Sequence, residues 1–308
     1  MQLRMKFPAV SRASCVPVLA ACALFRIAMA GEPELFGAPM LDCSGLPCVE
    51  ATTPSGASVK MLIDTGNRRS ILDESVAKKL GLELKPFIGR DGKVHPEYSS
   101  ATLPNLKIGA AGLGDVSVLV VGLAPSMQKG ELPNADGLLS YSAFGARLLR
   151  LDYKNRRVEM SDVLTQEVPC PRDCGAMTNP TFGKEGPPIV ASTGFRVNGK
   201  PLVVQIDTLY TGTMLIYPTS VDKLGLASNQ SAKTTRKFAF TDGGVEMIQS
   251  NVTSEGFGAM TLARNCPVYF ATPDVHLPDG MFDGTVGHEL FLGHVLTFDF
   301  YGHHFWES

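Results

Sequence analysis

The sequence predicts an all-β protein built from two similar halves. Two short apolar segments, 59–63 and 202–206, each run into an Asp-Thr pair. Further landmarks then follow in the same order and at nearly the same spacing in both halves, which indicates an internal duplication. Each copy contributes one carboxylate at the end of a predicted strand. The repeated landmarks are Asp64-Thr65 and Asp207-Thr208, Leu80-Gly81-Leu82 and Leu224-Gly225-Leu226, Asp136-Gly137 and Asp283-Gly284, and Leu151-Asp152 and Phe298-Asp299.

The strands are predicted from short apolar runs that are bounded by turn residues. Pro54-Ser55-Gly56 precedes the first of the two segments, and Asn198-Gly199, a strong hairpin dipeptide, precedes the second. The segments 116–121, 147–153 and 295–300 have the same apolar, β-branched character. The sequence therefore predicts strand-rich halves rather than alternating βαβ units.

One short helix is predicted in each half, over residues 73–80 and 219–224. Asp73 and Thr219 are residue types that cap helix N-termini. Gly81 and Gly225 can adopt the left-handed conformation that ends a helix. We therefore expect a single short helix beside each set of strands.

Length and composition suit a folded protein of two domains. The chain has 308 residues, of which 44% are hydrophobic and 19% charged, and its net charge is −2. That balance gives no reason to expect a nucleic-acid partner. A stretch rich in proline and glycine divides the chain. We expect a first domain at 31–165, a connector at 166–188 and a second domain at 189–308.

The N-terminus predicts export. Arg4 and Lys6 precede an apolar stretch that ends near Phe25, and Ala28-Met29-Ala30 supplies small residues for cleavage. We interpret residues 1–30 as a signal peptide, and we expect a periplasmic or secreted protein. A lipid anchor at Cys22 is the alternative. No later segment is apolar and long enough to predict a transmembrane helix.

The cysteines fit an oxidising compartment. The close pairs Cys43/Cys48 and Cys170/Cys174 are disulfide candidates, which leaves Cys266 over, although Cys266 could instead pair with one of the latter two. These gaps are longer than the C-x-x-C spacing typical of zinc sites. The segment 288–292 also lacks the second histidine of a zinc-protease helix. We therefore expect no metal and no cofactor.

The two Asp-Thr pairs indicate acid–base chemistry. A single Asp-Thr-Gly is commonly a turn at the end of a strand, but two copies with matching downstream segments favour a shared site. If the copies pack about a pseudo-twofold axis, Asp64 and Asp207 meet and share one proton. The ionised acid can then activate water while the protonated acid polarises a carbonyl group.

These motifs resemble those of bacterial retropepsin-like aspartic proteases. The first half carries Ile63-Asp64-Thr65-Gly66, Asp136-Gly137-Leu138-Leu139 and Leu151-Asp152-Tyr153, and the second half is similar. The resemblance implies two fused β-barrel lobes in a pepsin-like arrangement, acting as a monomeric endopeptidase on peptide or protein substrates. Asp64 and Asp207 would be catalytic. The residues implied to tie or support their loops are Thr65, Gly66, Thr208, Leu138, Leu139, Thr285, Val286 and Gly287.

The sequence departs from this family pattern at two positions. Leu209 replaces the glycine after the second Asp-Thr, and Ser140 replaces a supporting glycine in the first half. The first departure leaves two alternatives open. The protein could be an inactive peptide-binding module, or it could be a peptidase that is active only as a homodimer through Asp64.

Two glycine-containing polar turns are candidates for a hairpin that closes over substrate. They are the segments 89–93 and 241–244. Glycine and short polar residues suit mobile loop tips, although both segments are equally typical of ordinary surface turns.

Overall fold

Strands make up most of the structure, a computed structural model that describes residues 33–89, 92–128, 132–170, 174–178, 191–226, 232–237, 244–257, 260–271 and 282–307. The all-β prediction is confirmed. The expected signal peptide and Cys22 lie outside the described residues. None of the described helices is long and apolar enough to cross a membrane.

The strands of the first half are β1 Leu35–Pro39, β2 Cys48–Thr52, β3 Ser58–Asp64, β4 Ser70–Asp73, β5 Lys85–Ile88, β6 Val94–Ile108, β7 Ala111–Val121, β8 Gly137–Ser140, β9 Leu148–Asp152 and β10 Arg157–Ser161. Those of the second half are β11 Gly175–Thr178, β12 Ala191–Val197, β13 Lys200–Asp207, β14 Met214–Ile216, β15 Ala232–Lys237, β16 Gly244–Phe257, β17 Met260–Ala271, β18 Gly284–Gly287, β19 Val295–Asp299 and β20 His304–Glu307.

Each half closes into a β-barrel with the same strand order. In the first half the order is β2-β3-β8-β4-β7-β6, and β6 pairs back to β2. In the second half the order is β12-β13-β18-β14-β17-β16, and β16 pairs back to β12. The edge strands β5 and β15 extend the two barrels at equivalent positions. The duplication seen in the sequence is therefore a duplication of topology.

A shared sheet joins the two halves. Its order is β1-β10-β9-β19-β20-β11-β12, so β9 of the first half pairs directly with β19 of the second. Buried aromatic rings pack on this sheet, and the Phe298 ring stacks with those of Phe300 and Phe305. Part of the predicted connector belongs to this sheet, because β11 pairs with both β20 and β12.

The helices are short and lie beside the barrels. They are α1 Glu74–Lys79, α2 Ala124–Gln128 and α3 Pro218–Leu224, with single 3₁₀ turns at Tyr141–Ala143 and His288–Phe291. The sequence did not predict α2. Asp73 caps α1 by accepting a hydrogen bond from the Ser75 N–H at 2.9 Å, as expected.

The predicted N-cap of α3 is wrong. The helix begins at Pro218, one residue before Thr219, and the N-cap is Tyr217 without a side-chain hydrogen bond. Proline is favoured in the first turn, where its missing N–H would have no intrahelical partner. Gly225 ends the helix in the left-handed conformation at φ 72°, as predicted.

The cysteines pair as the sequence predicts. Cys43 bonds to Cys48 and Cys170 bonds to Cys174, with Cα separations of 6.1 and 6.0 Å. Cys266 is a free, buried thiol on β17. The first disulfide lies within a small apolar cluster of the first half, which we name the Cys43 cluster. Its buried members are Cys43, Leu46, Cys48, Leu62, Ile71, Val121, Leu123, Leu132, Ala135 and Leu138.

A buried acid in the second barrel makes stability depend on pH. Glu255 on β16 is 1% exposed, and burial raises its pKa to about 8, with the hydrogen bond from the Cys266 thiol opposing the shift. The unfolded chain ionises this group near pH 4.5. Between about pH 4.5 and 8 the folded state therefore holds a proton that the unfolded state releases, so stability falls as pH rises.

Glu255→Gln should remove this pH dependence. The wild-type protein should lose up to about 4 kcal/mol of unfolding free energy between about pH 5 and pH 8, and the variant should lose much less. Urea unfolding at several pH values measures the difference. Glu83→Gln, on a largely exposed side chain, is the control. Equal slopes in wild type and Glu255→Gln would contradict this account.

Candidate active site

Asp64 and Asp207 stand at the C-terminal ends of equivalent strands, β3 and β13, and the loops that follow them meet. The two threonines exchange hydrogen bonds between the halves. The Thr65 hydroxyl donates to the Ile206 carbonyl at 2.8 Å, and the Thr208 hydroxyl donates to the Ile63 carbonyl at 2.6 Å. Each hydroxyl also accepts the backbone N–H of the other threonine, at 3.1 and 3.2 Å. Both side chains are fully buried.

Gly66 lies directly against the opposite acid. A Cβ added to this residue would stand 2.6 and 2.7 Å from the two carboxylate oxygens of Asp207. No other residue type fits there without displacing the carboxylate, since such contacts are far below van der Waals distance. The glycine of the first Asp-Thr-Gly is thus explained by the close approach of the second acid.

Backbone N–H groups fix both carboxylates. Asp64 Oδ1 accepts the N–H groups of Gly66 and Asn67 at 2.9 and 3.0 Å. Asp207 Oδ1 accepts those of Leu209 and Tyr210 at 2.9 and 3.1 Å. The two loops therefore orient their acids in the same way.

Burial raises the pKa of both acids, and the charge of Asp207 adds to the shift at Asp64. Burial, followed by the negative charge of Asp207, raises the pKa of Asp64 well above its ordinary value, against the hydrogen bonds from Gly66 and Asn67. Burial also raises the pKa of Asp207, against the N–H groups of Leu209 and Tyr210. Both carboxyl groups therefore keep their protons to a higher pH than an ordinary aspartic acid does.

The expected support residues lie on the strands beside the acids. Leu138 and Leu139 are on β8, which runs parallel to β3 and brings Ser140 opposite Asp64. Val286 and Gly287 are on β18, which runs parallel to β13 and brings Gly287 opposite Asp207. All four are buried, so each acid is supported by a neighbouring apolar strand.

The repeated Asp-Gly pairs have a role that the sequence did not reveal. The Asp136 carboxylate accepts the Lys60 N–H at 2.7 Å, and the Asp283 carboxylate accepts the Val203 N–H at 2.8 Å. Lys60 and Val203 each lie four residues before the acid at the end of their strand. These carboxylates therefore attach each support strand to its acid-bearing strand.

Leu209 leaves the backbone hydrogen bonding of Asp207 intact. Its side chain is partly buried and packs against the Cys43 cluster of the opposite half. The backbone N–H of Leu209 still donates to Asp207, as that of Gly66 does to Asp64. The departure from glycine is therefore accommodated by apolar packing across the two halves.

Two polar residues near the acids were missed by sequence analysis. The Asn67 side chain hydrogen-bonds to Asp64 and helps to lower its pKa. The Gln205 side chain donates from Nε2 to the Gly66 carbonyl at 2.9 Å. One signal could have identified Gln205 in the sequence: it is a polar residue in an otherwise apolar strand, two positions before an acid.

The first flap candidate is the tip of a β-hairpin. Ile88 pairs with Val94 across β5 and β6, and both side chains are exposed, at 60% and 58%. The Arg69 guanidinium, from the loop after Asp64, lies over the Phe87 ring at 5.1 Å from its centroid. Residues 90 and 91 lie outside the described chain, as do 241–243 of the second candidate, which β15 and β16 flank.

Among the described residues, one cluster brings three potential metal ligands within 4.8 Å of one another: Cys170, Cys174 and His304. The two cysteines are bonded to each other, so their sulfurs are not thiolate ligands while the disulfide is present. This cluster lies at the starts of β20 and β11 in the shared sheet rather than among the residues around Asp64 and Asp207.

Comparison with known proteins supports a protease. A family model described as aspartyl protease matches residues 49–143, and this match confirms the predicted family resemblance for the first half. The matched region includes Asp64, Thr65, Gly66, Leu138 and Leu139. It spans less than half of the chain. No curated protein matches the sequence.

Proposed function

We propose that the protein is an exported aspartic endopeptidase, which hydrolyses peptide bonds with a water activated jointly by Asp64 and Asp207. The observation that carries the proposal is the exchange of hydrogen bonds between Thr65 and Thr208, because it holds the two acid-bearing loops together. The aspartyl protease match over residues 49–143 supports the same reaction class. Peptides and unfolded proteins are the proposed substrates.

The proposed chemistry needs only the two acids and water. The ionised carboxylate takes a proton from water as the water oxygen attacks the scissile carbonyl carbon. The protonated carboxyl group donates its proton to the carbonyl oxygen, which gives a neutral tetrahedral diol. The diol then returns a hydroxyl proton to a carboxylate while the leaving nitrogen gains a proton from the other acid, and the C–N bond breaks. Aspartic proteases are the standard example of such a shared proton.

The geometry favours catalysis by one chain. The proposed partner of Asp64 is an acid of the same chain, and the packing of Gly66 against the Asp207 carboxylate supports this pairing. A homodimer that works through two copies of Asp64 would have to displace this contact. The packing of Leu209 also argues against a binding module that has lost the pairing of its acids.

Export is supported by the cysteines. Four of the five cysteines after residue 30 form two disulfides in the structure. Disulfides persist in oxidising compartments such as the periplasm or the cell exterior. The proposed location is therefore outside the cytoplasm, with the signal peptide of residues 1–30 as the means of export.

Hydrolysis of a denatured protein mixture tests the proposal. Activity should be greatest on the acidic side of neutral and should decline as the last shared proton is lost, because the pKa of Asp64 lies well above its ordinary value. Pepstatin, which mimics the transition state, should inhibit. A folded sample without turnover from about pH 3 to about pH 8 would refute the enzyme and leave the peptide-binding alternative.

A further inference from the structure

Equivalent positions beside the two acids carry opposite chemistry. In the first half Leu62 and Leu138 are neighbours on the parallel strands β3 and β8, and both are buried in the Cys43 cluster. In the second half the same register places Gln205 beside Thr285 on β13 and β18. Leu62 and Gln205 each lie two residues before the acid of their strand. One half thus has an apolar pair where the other has a polar pair.

The residue that follows each Asp-Thr matches the chemistry of the opposite half that it contacts. Leu209 follows the second Asp-Thr and packs against the Cys43 cluster, which contains Leu62 and Leu138. Gly66 follows the first Asp-Thr, and its carbonyl accepts the hydrogen bond from Gln205. The replacement of glycine by Leu209 therefore accompanies an apolar partner, while glycine is retained where the partner is polar.

The polar contact is the end of a directed hydrogen-bond chain. Thr285 Oγ1 donates to Gln205 Oε1 at 3.4 Å, and the Tyr217 hydroxyl lies 3.1 Å from Thr285 Oγ1. Since the Thr285 proton points to Gln205, Tyr217 is the donor in its contact with Thr285. The Gln205 amide is then oriented with its oxygen toward Thr285 and its nitrogen toward Gly66.

Gly66 is the point at which this chain can influence both acids. Its N–H donates to Asp64 Oδ1 at 2.9 Å, its Cα borders the Asp207 carboxylate, and its carbonyl is held by Gln205. A shift of this one peptide unit would move a hydrogen bond of the first acid and change the space beside the second.

We propose that Gln205 is a positioning residue of the Asp64–Asp207 pair, acting through the Gly66 carbonyl, and that Leu209 makes the corresponding apolar contact in the other direction. The proposal rests on the proposed peptidase function. One contact is a hydrogen bond and the other is apolar, so the arrangement requires two halves with different sequences. Two copies of the first half would place Leu62, rather than an amide, opposite Gly66, which further disfavours a homodimer through Asp64.

Gln205→Leu tests the proposal, because leucine keeps much of the volume and loses the amide. We expect kcat to fall about tenfold or more, KM to stay within about twofold, and the acidic and basic limbs of the pH–kcat profile to move toward each other as the carboxylates separate. Gln128→Leu, the same change at an exposed position, is the matched control and should behave as the wild type.

Gln205→Glu separates positioning from simple packing. The new carboxyl group can still donate to the Gly66 carbonyl while it is protonated, whereas its ionised form cannot and adds a negative charge beside the acids. This variant should be active at low pH. As the pH is raised, its activity should decline earlier than that of the wild type. A uniform loss at every pH, together with an unchanged profile in Gln205→Leu, would overturn the proposal.

Carboxyl titration provides a readout that does not need turnover. NMR titration of Asp64 and Asp207 in wild type and Gln205→Leu should show apparent pKa values that lie closer together in the variant. An inactive wild-type protein would refute the peptidase function. The titration curves of Asp64 and Asp207 would still test the positioning role. Identical titration in the two proteins would refute that role whether or not the enzyme is active.

Discussion

Asp207→Asn should reduce kcat/KM by about a thousandfold or more while the protein remains folded, since general acid–base groups contribute on this order and the two acids act as one unit. Asparagine keeps an oxygen that can accept the N–H groups of Leu209 and Tyr210, so the loop should persist. It cannot take a proton from water. Asp64→Asn should cause a comparable loss for the same reason.

The same variant should also change the remaining acid. Without the negative charge of Asp207, the pKa of Asp64 should fall toward its ordinary value, although burial still raises it. Peptide hydrolysis measures the loss of kcat/KM, and thermal unfolding shows whether the variant remains folded. NMR titration measures the pKa of Asp64. Asp42→Asn, at an exposed position, is the control. Full activity in Asp207→Asn would mean that the partner of Asp64 is another residue.

Thr65→Val should destabilise the protein by about 2–5 kcal/mol and lower its activity, because each buried group left unpaired costs about 1–3 kcal/mol. Valine matches threonine in shape but removes the hydroxyl, which leaves the Ile206 carbonyl and the Thr208 N–H without their partner. Thr208→Val should have a similar effect through the Ile63 carbonyl and the Thr65 N–H.

The double variant and a serine control sharpen this test. Because the two threonines form one network, the loss in the double variant should differ from the sum of the single losses. Thr65→Ser keeps the hydroxyl and removes one methyl group, so it should cost only about 1 kcal/mol. Denaturant unfolding gives the free energies, and peptide hydrolysis gives the activity. Stable, fully active valine variants would show that the hydroxyls do not hold the loops.

Much of the local structure could be predicted from the sequence. The strands that end at Asp64 and Asp207 were found because apolar runs bounded by turn residues are local patterns. Asp73 as a helix cap and Gly225 as a helix end follow from short-range hydrogen bonding and backbone freedom. The misplaced cap at Thr219 was also a local matter, because Pro218 starts the helix one residue earlier.

Other features could not be predicted because their partners are far apart in the chain. Strand β11 lies in a segment whose prolines and glycines indicated an exposed connector, but it pairs with β20 near the C-terminus. The role of Asp136 depends on an N–H group 76 residues away, at Lys60. Single-residue patterns contain no information about such pairings, which depend on the closure of the barrel.

The sequence by itself determined that the protein is a duplicated all-β chain with one acid at the end of a strand in each half, because periodicity and repeated landmarks are local properties. Only the tertiary structure decided that the two acid-bearing loops meet, that Leu209 packs against the opposite half, and that Gln205 reaches Gly66. The hydrogen bonds that join the two loops connect residues 139 or more positions apart. They exist because two barrels and a shared sheet bring the ends of β3 and β13 together.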